Sequence, residues 1–226
     1  MAPRPGLREM LWQETLDFST PPPPSPPCAV PPRLLILACS ATKAAGEGLT
    51  ARDRYQGPLW QTLRAVDPAG KLAFACYLSA KYGLGDARAP LDDYDAVLTD
   101  AGAAAMAKAG AWTPYPLLPE PTQKTDAGRS RAMQAARLTA GPRIAPMQAL
   151  LQLRREAGRP FQDVAICGGH RYVRVARSWL GDFRHFGPVA PDARVTVIDD
   201  RIGVMRSRLR GWLEAGQPVA APAGGG

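Results

Sequence analysis

Four short apolar runs, each followed by a segment of helical pattern, constrain this chain more than any other feature. Residues 33–39 read RLLILAC, 71–79 read KLAFACYLS, 163–167 read DVAIC and 194–198 read RVTVI. These are near-continuous apolar runs, the pattern of strands buried on both faces in a parallel sheet covered by helices. Helices are predicted over 59–66, 100–109, 127–138, 146–156, 170–180 and 204–214, with Pro146 at a favourable first-turn position. Residues 113–121 carry four prolines and are predicted to be irregular. Strands alternating with helices predict an α/β fold, a mostly parallel sheet with helices on both faces. Such sheets bind ligands beyond the carboxyl ends of their strands, so the residues after each run are the ones to inspect.

The first 32 residues do not read as core. Residues 21–27 are six prolines and a serine, which lack backbone donors and favour an exposed polyproline II spacer. We therefore expect a disordered Pro-rich segment over 1–32, one folded domain over 33–215 and a disordered tail over 216–226. The net charge of +8 favours polyanionic partners such as nucleic acid or nucleotides, although an arginine-rich proteome is basic throughout. The four cysteines, Cys28, Cys39, Cys76 and Cys167, show no CxxC spacing, so no structural zinc is expected. No signal-like segment opens the chain, and no apolar stretch approaches the ~18–20 residues that span a bilayer. No membrane partner and a cytoplasmic location are the expectations.

Beyond the first run lies Cys39-Ser40-Ala41-Thr42-Lys43. Hydroxyls, backbone amides and an ammonium suit an anion cradle, and equally a polar loop with a surface lysine. The spacing is not that of a phosphate-binding GxxxxGK[ST] loop. Ser79-Ala80-Lys81-Tyr82-Gly83 follows the second run and leads to Pro90-Leu91-Asp92-Asp93-Tyr94. Lys81 offers a charge, Tyr82 or Tyr94 a stacking surface, and Gly83 a sharp turn. After the third run, Gly168-Gly169-His170-Arg171-Tyr172 opens a helix whose free amides suit phosphate. After the fourth, Asp199 is placed as a general base or ribose-hydroxyl acceptor, and Asp200 reads as a helix N-cap. With two histidines and no GxSxG elbow, a Ser-His-Asp hydrolase is not expected.

Together these pieces resemble the YaaA-type peroxide-stress proteins. The resemblance is carried by Leu37 to Lys43, by Tyr55-Gln56-Gly57-Pro58-Leu59-Trp60, by Leu78 to Leu84 with Pro90 to Tyr94, and by Ile166 to Tyr172. The chain is similar still more closely to a shorter bacterial and phage family related to them. That family carries Cys-Ser-x-x-Lys, then Ala-Arg-x-x-Tyr (Ala51 to Tyr55 here), then Ser-Ala-Lys-Tyr-Gly-Leu, and ends in Ile-Gly (Ile202-Gly203) before Trp-Leu (Trp212-Leu213). The resemblance spans 33–213, with 100–160 poorly matched. Asp199-Asp200 stands where the family usually has an apolar, glycine-containing stretch.

The resemblance implies a role around DNA or nucleobases and in the oxidative stress response. Lys43, Lys81 and the amides of Gly168, Gly169 and His170 are the candidate phosphate contacts. Ser40, Thr42, Arg52, Tyr55, Ser79, Gly83 and Tyr172 complete the candidate ligand set. Cys39, Asp92 and Asp199 are the candidate nucleophile or base. Two readings follow. One is an enzyme acting, without a cofactor, on a nucleoside, a nucleotide or a base in DNA at its glycosidic bond. The other is a non-catalytic DNA-binding protein of the peroxide-stress response. The first needs Cys39, Lys43, Lys81, Tyr82 and an acid to converge; the second needs the arginines at 171, 174, 177, 206 and 210 on one exposed face.

Overall fold

All six residues of β1 (Arg33–Ala38) are buried, as a strand with neighbours on both edges and helices on both faces must be. The computed structural model describes residues 31–118, 121–139 and 143–216. The Pro-rich segment and the tail read from the sequence lie outside the described residues, apart from Pro31, Pro32 and Gly216. β1 is flanked in parallel by β2 (Phe74–Ser79) and β4 (Phe161–Cys167). β5 (Val189–Ile198) extends the sheet beyond β4 in parallel, and β3 (Gly83–Asp86) closes the other side antiparallel to β2. The order β3-β2-β1-β4-β5 is an α/β sheet with one antiparallel edge.

Pleating divides the core. Leu34 and Ile36 face a cluster with α3 (Asp100–Ala109), α5 (Pro146–Ala157) and α6 (His170–His185). Leu35 and Leu37 face the opposite cluster, with α1 (Ala51–Arg54), α2 (Pro58–Val66) and α7 (Ile202–Glu214). The polar α4 (Asp126–Thr139) contributes no residue to either cluster. Among the described residues, no helix is long and apolar enough to cross a membrane.

The structure changes several boundaries for identifiable reasons. β2 begins at Phe74 rather than residue 71, because the Asp67 carboxylate holds the amides of Lys71 and Leu72 in a turn (2.7 and 3.1 Å). β5 begins five residues before the predicted start; its Pro191 is tolerated on an edge strand next to a register shift between Phe161 and Asp163. Asp200 is not the N-cap of α7, as the sequence suggested. That position is Arg201, and the Asp200 carboxylate accepts the Arg201 amide at 2.7 Å.

The largest departure is β3. Residues 79–83 are a hairpin turn, with Ser79 paired to Gly83. Gly83 has φ +64°, and a Cβ there would sit 2.6 Å from the Tyr115 ring. Gly83→Ala combines left-handed strain with overpacking, so it is expected to lower stability by about 1–3 kcal/mol in urea unfolding. A change within ~0.5 kcal/mol, as for a surface substitution, would show that the turn adapts.

Candidate functional site

After β1 and β2 are laid side by side, the chain returns to the far side of β1 through β4, so the strand order reverses between β1 and β4. Parallel pairing brings the carboxyl ends of β1, β2 and β4 to one rim, where such sheets bind ligands. Cys39 stands at this point, its amide bonded to the Leu78 carbonyl of β2 (2.8 Å). Gly168 stands opposite, and a Cβ there would lie 2.4 Å from that of Ala38. Only glycine permits this approach.

A chain of hydroxyls lies beside the sulfur. Ser79, fully buried, accepts the amides of Lys81 and Tyr82 on its Oγ (3.1 and 3.2 Å) and donates to Tyr94 Oη at 2.8 Å. Tyr55 Oη, also fully buried, lies 2.6 Å from Tyr94 Oη. Either hydroxyl of this pair can donate, so both buried oxygens are satisfied. Tyr94 thus joins Ser79 and Tyr55 through its hydroxyl, and the nearby Cys39 acts on its phenol electrostatically. Tyr172 Oη lies 3.1 Å from Cys39 Sγ, a hydrogen bond in which either atom can be the donor. Burial first, then the nearby Cys39, pushes the Tyr94 and Tyr172 phenols well above their ordinary range. Burial does the same to Tyr55. All three therefore remain O–H donors at neutral pH.

Two ammonium groups flank the same cluster. Lys43 Nζ is 4.5 Å from the Tyr94 ring centroid; Lys81 Nζ is 5.9 Å from it and 5.0 Å from that of Tyr82. Tyr82 meets Tyr94 edge to face, with centroids 5.1 Å apart. Cys39, Ser40, Lys43, Tyr82 and Tyr172 are partly exposed and Lys81 is exposed, so the cluster opens to solvent.

Other sequence candidates serve the scaffold or stand apart. Ser40 Oγ accepts the Thr42 amide (3.1 Å) and fills the space left by Gly57, where a Cβ would meet it at 2.3 Å. Thr42 is exposed, and its carbonyl accepts the Gln56 amide. Arg52 donates to the Asp67 carbonyl at the end of α2, away from the cluster. Gly169 caps α6 with open space around it, and the exposed His170 lies 3.6 Å from Asp100. Asp92 is exposed on the segment after β3. Asp199 is exposed two strands away from β1. Neither carboxylate contacts Cys39.

Sequence reasoning missed Arg54, which organises the site's outer wall. Its fully buried guanidinium donates to the carbonyls of Leu91, Ala44 (3.0 Å) and Gly46 (2.7 Å). It thereby joins the loop bearing Lys43 to the segment bearing Tyr94. The signal was present: Ala51, Arg54 and Tyr55 occupy positions i, i+3 and i+4, one helix face. Trp60 was missed too; its indole donates to the Ala38 carbonyl at 2.8 Å, fixing the end of β1.

No protein-family model, no curated protein and no solved structure matches this chain.

Proposed function

We propose that this protein is an enzyme that binds a nucleotide-type ligand at the carboxyl edge of its sheet and acts on it through Cys39. The observation that carries the reading is a part-open Cys39 hydrogen-bonded to Tyr172, beside a tyrosine, Tyr94, that two lysines flank. Two cations a few ångströms from aromatic faces suit a phosphorylated aromatic molecule: the ammonium groups take the phosphate, and Tyr82 offers its face to the ring. A thiol held by a phenol in a part-open site has the placement a nucleophile needs.

The step that fits is displacement at a glycosidic carbon. The sulfur bonds to C1′ as the C1′–N bond breaks, and the nitrogen keeps the electron pair and takes the proton that the thiol gives up. Water then attacks C1′, and the sulfur leaves to recover its proton. Tyr172, hydrogen-bonded to the sulfur, is the proton-bearing group at hand.

A non-catalytic DNA-binding role is the weaker reading. It needs the arginines of α6 and α7 on one surface, yet the two helices pack on opposite faces of the sheet. Arg171 is also engaged by Asp100 (2.7 Å), and Arg206 by Thr62 (3.2 Å).

The test is titration with nucleoside monophosphates together with chromatographic detection of released base. Lys81→Ala should keep the parent melting temperature and weaken binding by about 1–3 kcal/mol, the range for a charge-assisted hydrogen bond. Cys39→Ala should retain binding and release no base. Unchanged affinity in Lys81→Ala, or base release at the parent rate by Cys39→Ala, would remove the reading.

A further inference from the structure

A cavity of about 590 Å³ adjoins the Cys39 cluster. It wraps the free edge of β3, the last strand on that side of the sheet. On one face its wall is Leu84, Tyr115 and the α5 side chains Ala149 and Leu153; on the other it is Tyr77, Leu91 and Tyr82. Tyr82 is the shared wall, since its ring also meets Tyr94.

Three features say what this cavity accepts. The first is the strand edge. The Ala87 amide donates to Ala75, so Gly85, two residues earlier, also faces β2, while both backbone groups of Leu84 and the Asp86 amide turn outward; the Asp86 carbonyl accepts the Ala89 amide (3.1 Å). An open edge presents donors and acceptors in alternation along one plane. The second is Tyr115, 2% exposed, whose hydroxyl has no hydrogen-bond partner among the described residues. Burial pushes it up to about 12, so it remains a neutral O–H. Buried polar groups are satisfied as a rule, and one left open beside a cavity points to a partner brought by a ligand. The third is charge. Asp86, Asp92 and Glu156 line the cavity with one arginine, Arg88, which bonds Asp86 and Glu156 (2.6 and 2.5 Å). This end repels phosphate, whereas the Lys43 and Lys81 end attracts it.

We infer that this cavity is the base-binding subsite of the nucleotide site. It would take a planar nitrogen heterocycle whose edge carries both donors and acceptors, seated against β3, with the sugar passing Tyr82 toward the lysines. The inference rests on the proposed nucleotide reading and deepens it. The volume fits, since ligand pockets run about 300–1,000 Å³.

The experiment is calorimetric titration of the full chain with the four common ribonucleosides, their 5′-monophosphates and ribose 5-phosphate. At least one nucleoside should bind without its phosphate, and more tightly than ribose 5-phosphate. Tyr115→Phe should weaken that nucleoside by about threefold to tenfold, the value of one neutral hydrogen bond. It should not lower the melting temperature, because the hydroxyl it removes is unpaired. Ala149→Phe, which fills the cavity, should weaken it by at least about tenfold. Absence of nucleoside binding, or undiminished binding in both variants, overturns the subsite. Nucleoside binding that both variants weaken, with monophosphate affinity unchanged in Lys43→Ala and Lys81→Ala, upholds the cavity and overturns the phosphate role of the lysines.

Discussion

Asp163→Ala is expected to cost about 3–5 kcal/mol, the range for breaking a buried ion pair by removing one partner. Asp163 sits inside β4, 7% exposed, and its carboxylate bonds Arg33 (2.9 Å), Arg194 (3.1 Å) and the Trp212 indole (3.3 Å). Arg33 is itself buried, stacks on Trp212 with 3.7 Å to the ring centroid, and donates to the Leu213 and Trp212 carbonyls. Removing the carboxylate leaves that guanidinium without its counter-ion between β1 and the end of α7. Urea unfolding at pH 7 measures the loss; a change below about 1 kcal/mol would mean that water or the carbonyls satisfy Arg33 unaided.

The same residue gives the acid limb its sign. Burial acts to raise the Asp163 carboxyl, but the bonds from Arg194, Arg33 and Trp212 outweigh it and hold the group below its ordinary value. A folded-state value below the unfolded one, about 3.9, contributes stability that is complete above that pH. The contribution disappears as pH falls through the folded value. Between about pH 5 and 2 the parent should therefore lose stability more steeply than Asp163→Asn, which cannot titrate.

Arg54→Met is expected to destabilise the domain by a similar amount, about 3–5 kcal/mol, and also to disable the site. Methionine matches much of the volume but leaves the carbonyls of Leu91, Ala44 and Gly46 without their donor, and each unsatisfied carbonyl costs about 1–3 kcal/mol before water relieves it. For a domain of this size the melting temperature should fall by roughly 6–20 °C. Arg54→Lys keeps the charge but not the three-way fork, so it should lie between. Because Arg54 fastens the Lys43 loop to the Tyr94 segment, ligand affinity measured well below the melting temperature should fall with stability. Parent affinity in a folded Arg54→Met protein would show that Lys43 and Tyr94 are positioned by something else.

Much of the architecture was legible in the chain. The runs at 33–39 and 163–167 became the interior parallel strands β1 and β4, and Asp100–Ala109 is a helix at the predicted bounds. A strand buried on both faces admits few polar residues, and a helix bounded by Thr99 and Gly110 carries its own caps. What escaped was β3, four residues with two glycines and an aspartate. Its strand geometry comes from pairing to β2 and from Tyr115 packing over Gly83, not from its own propensity.

The candidate site divides in the same way. Residues placed after the apolar runs had to share one rim, because parallel strands end on the same side; Cys39, Ser79, Lys81, Gly168 and Tyr172 are there for that reason. Pattern by itself determined the layer order, the sidedness of the core and the rim that carries the chemistry, since all three depend on the periods of strand and helix. Which residues meet on that rim was decided only by tertiary packing. The meeting of the Tyr94 hydroxyl with those of Ser79 and Tyr55 spans separations of 15 and 39 residues. The removal of Asp199 from the site follows from a strand order that puts β5 at the far edge. Hydrogen bonds act over about 3 Å, and no local pattern fixes distances of that order between residues so far apart in the chain.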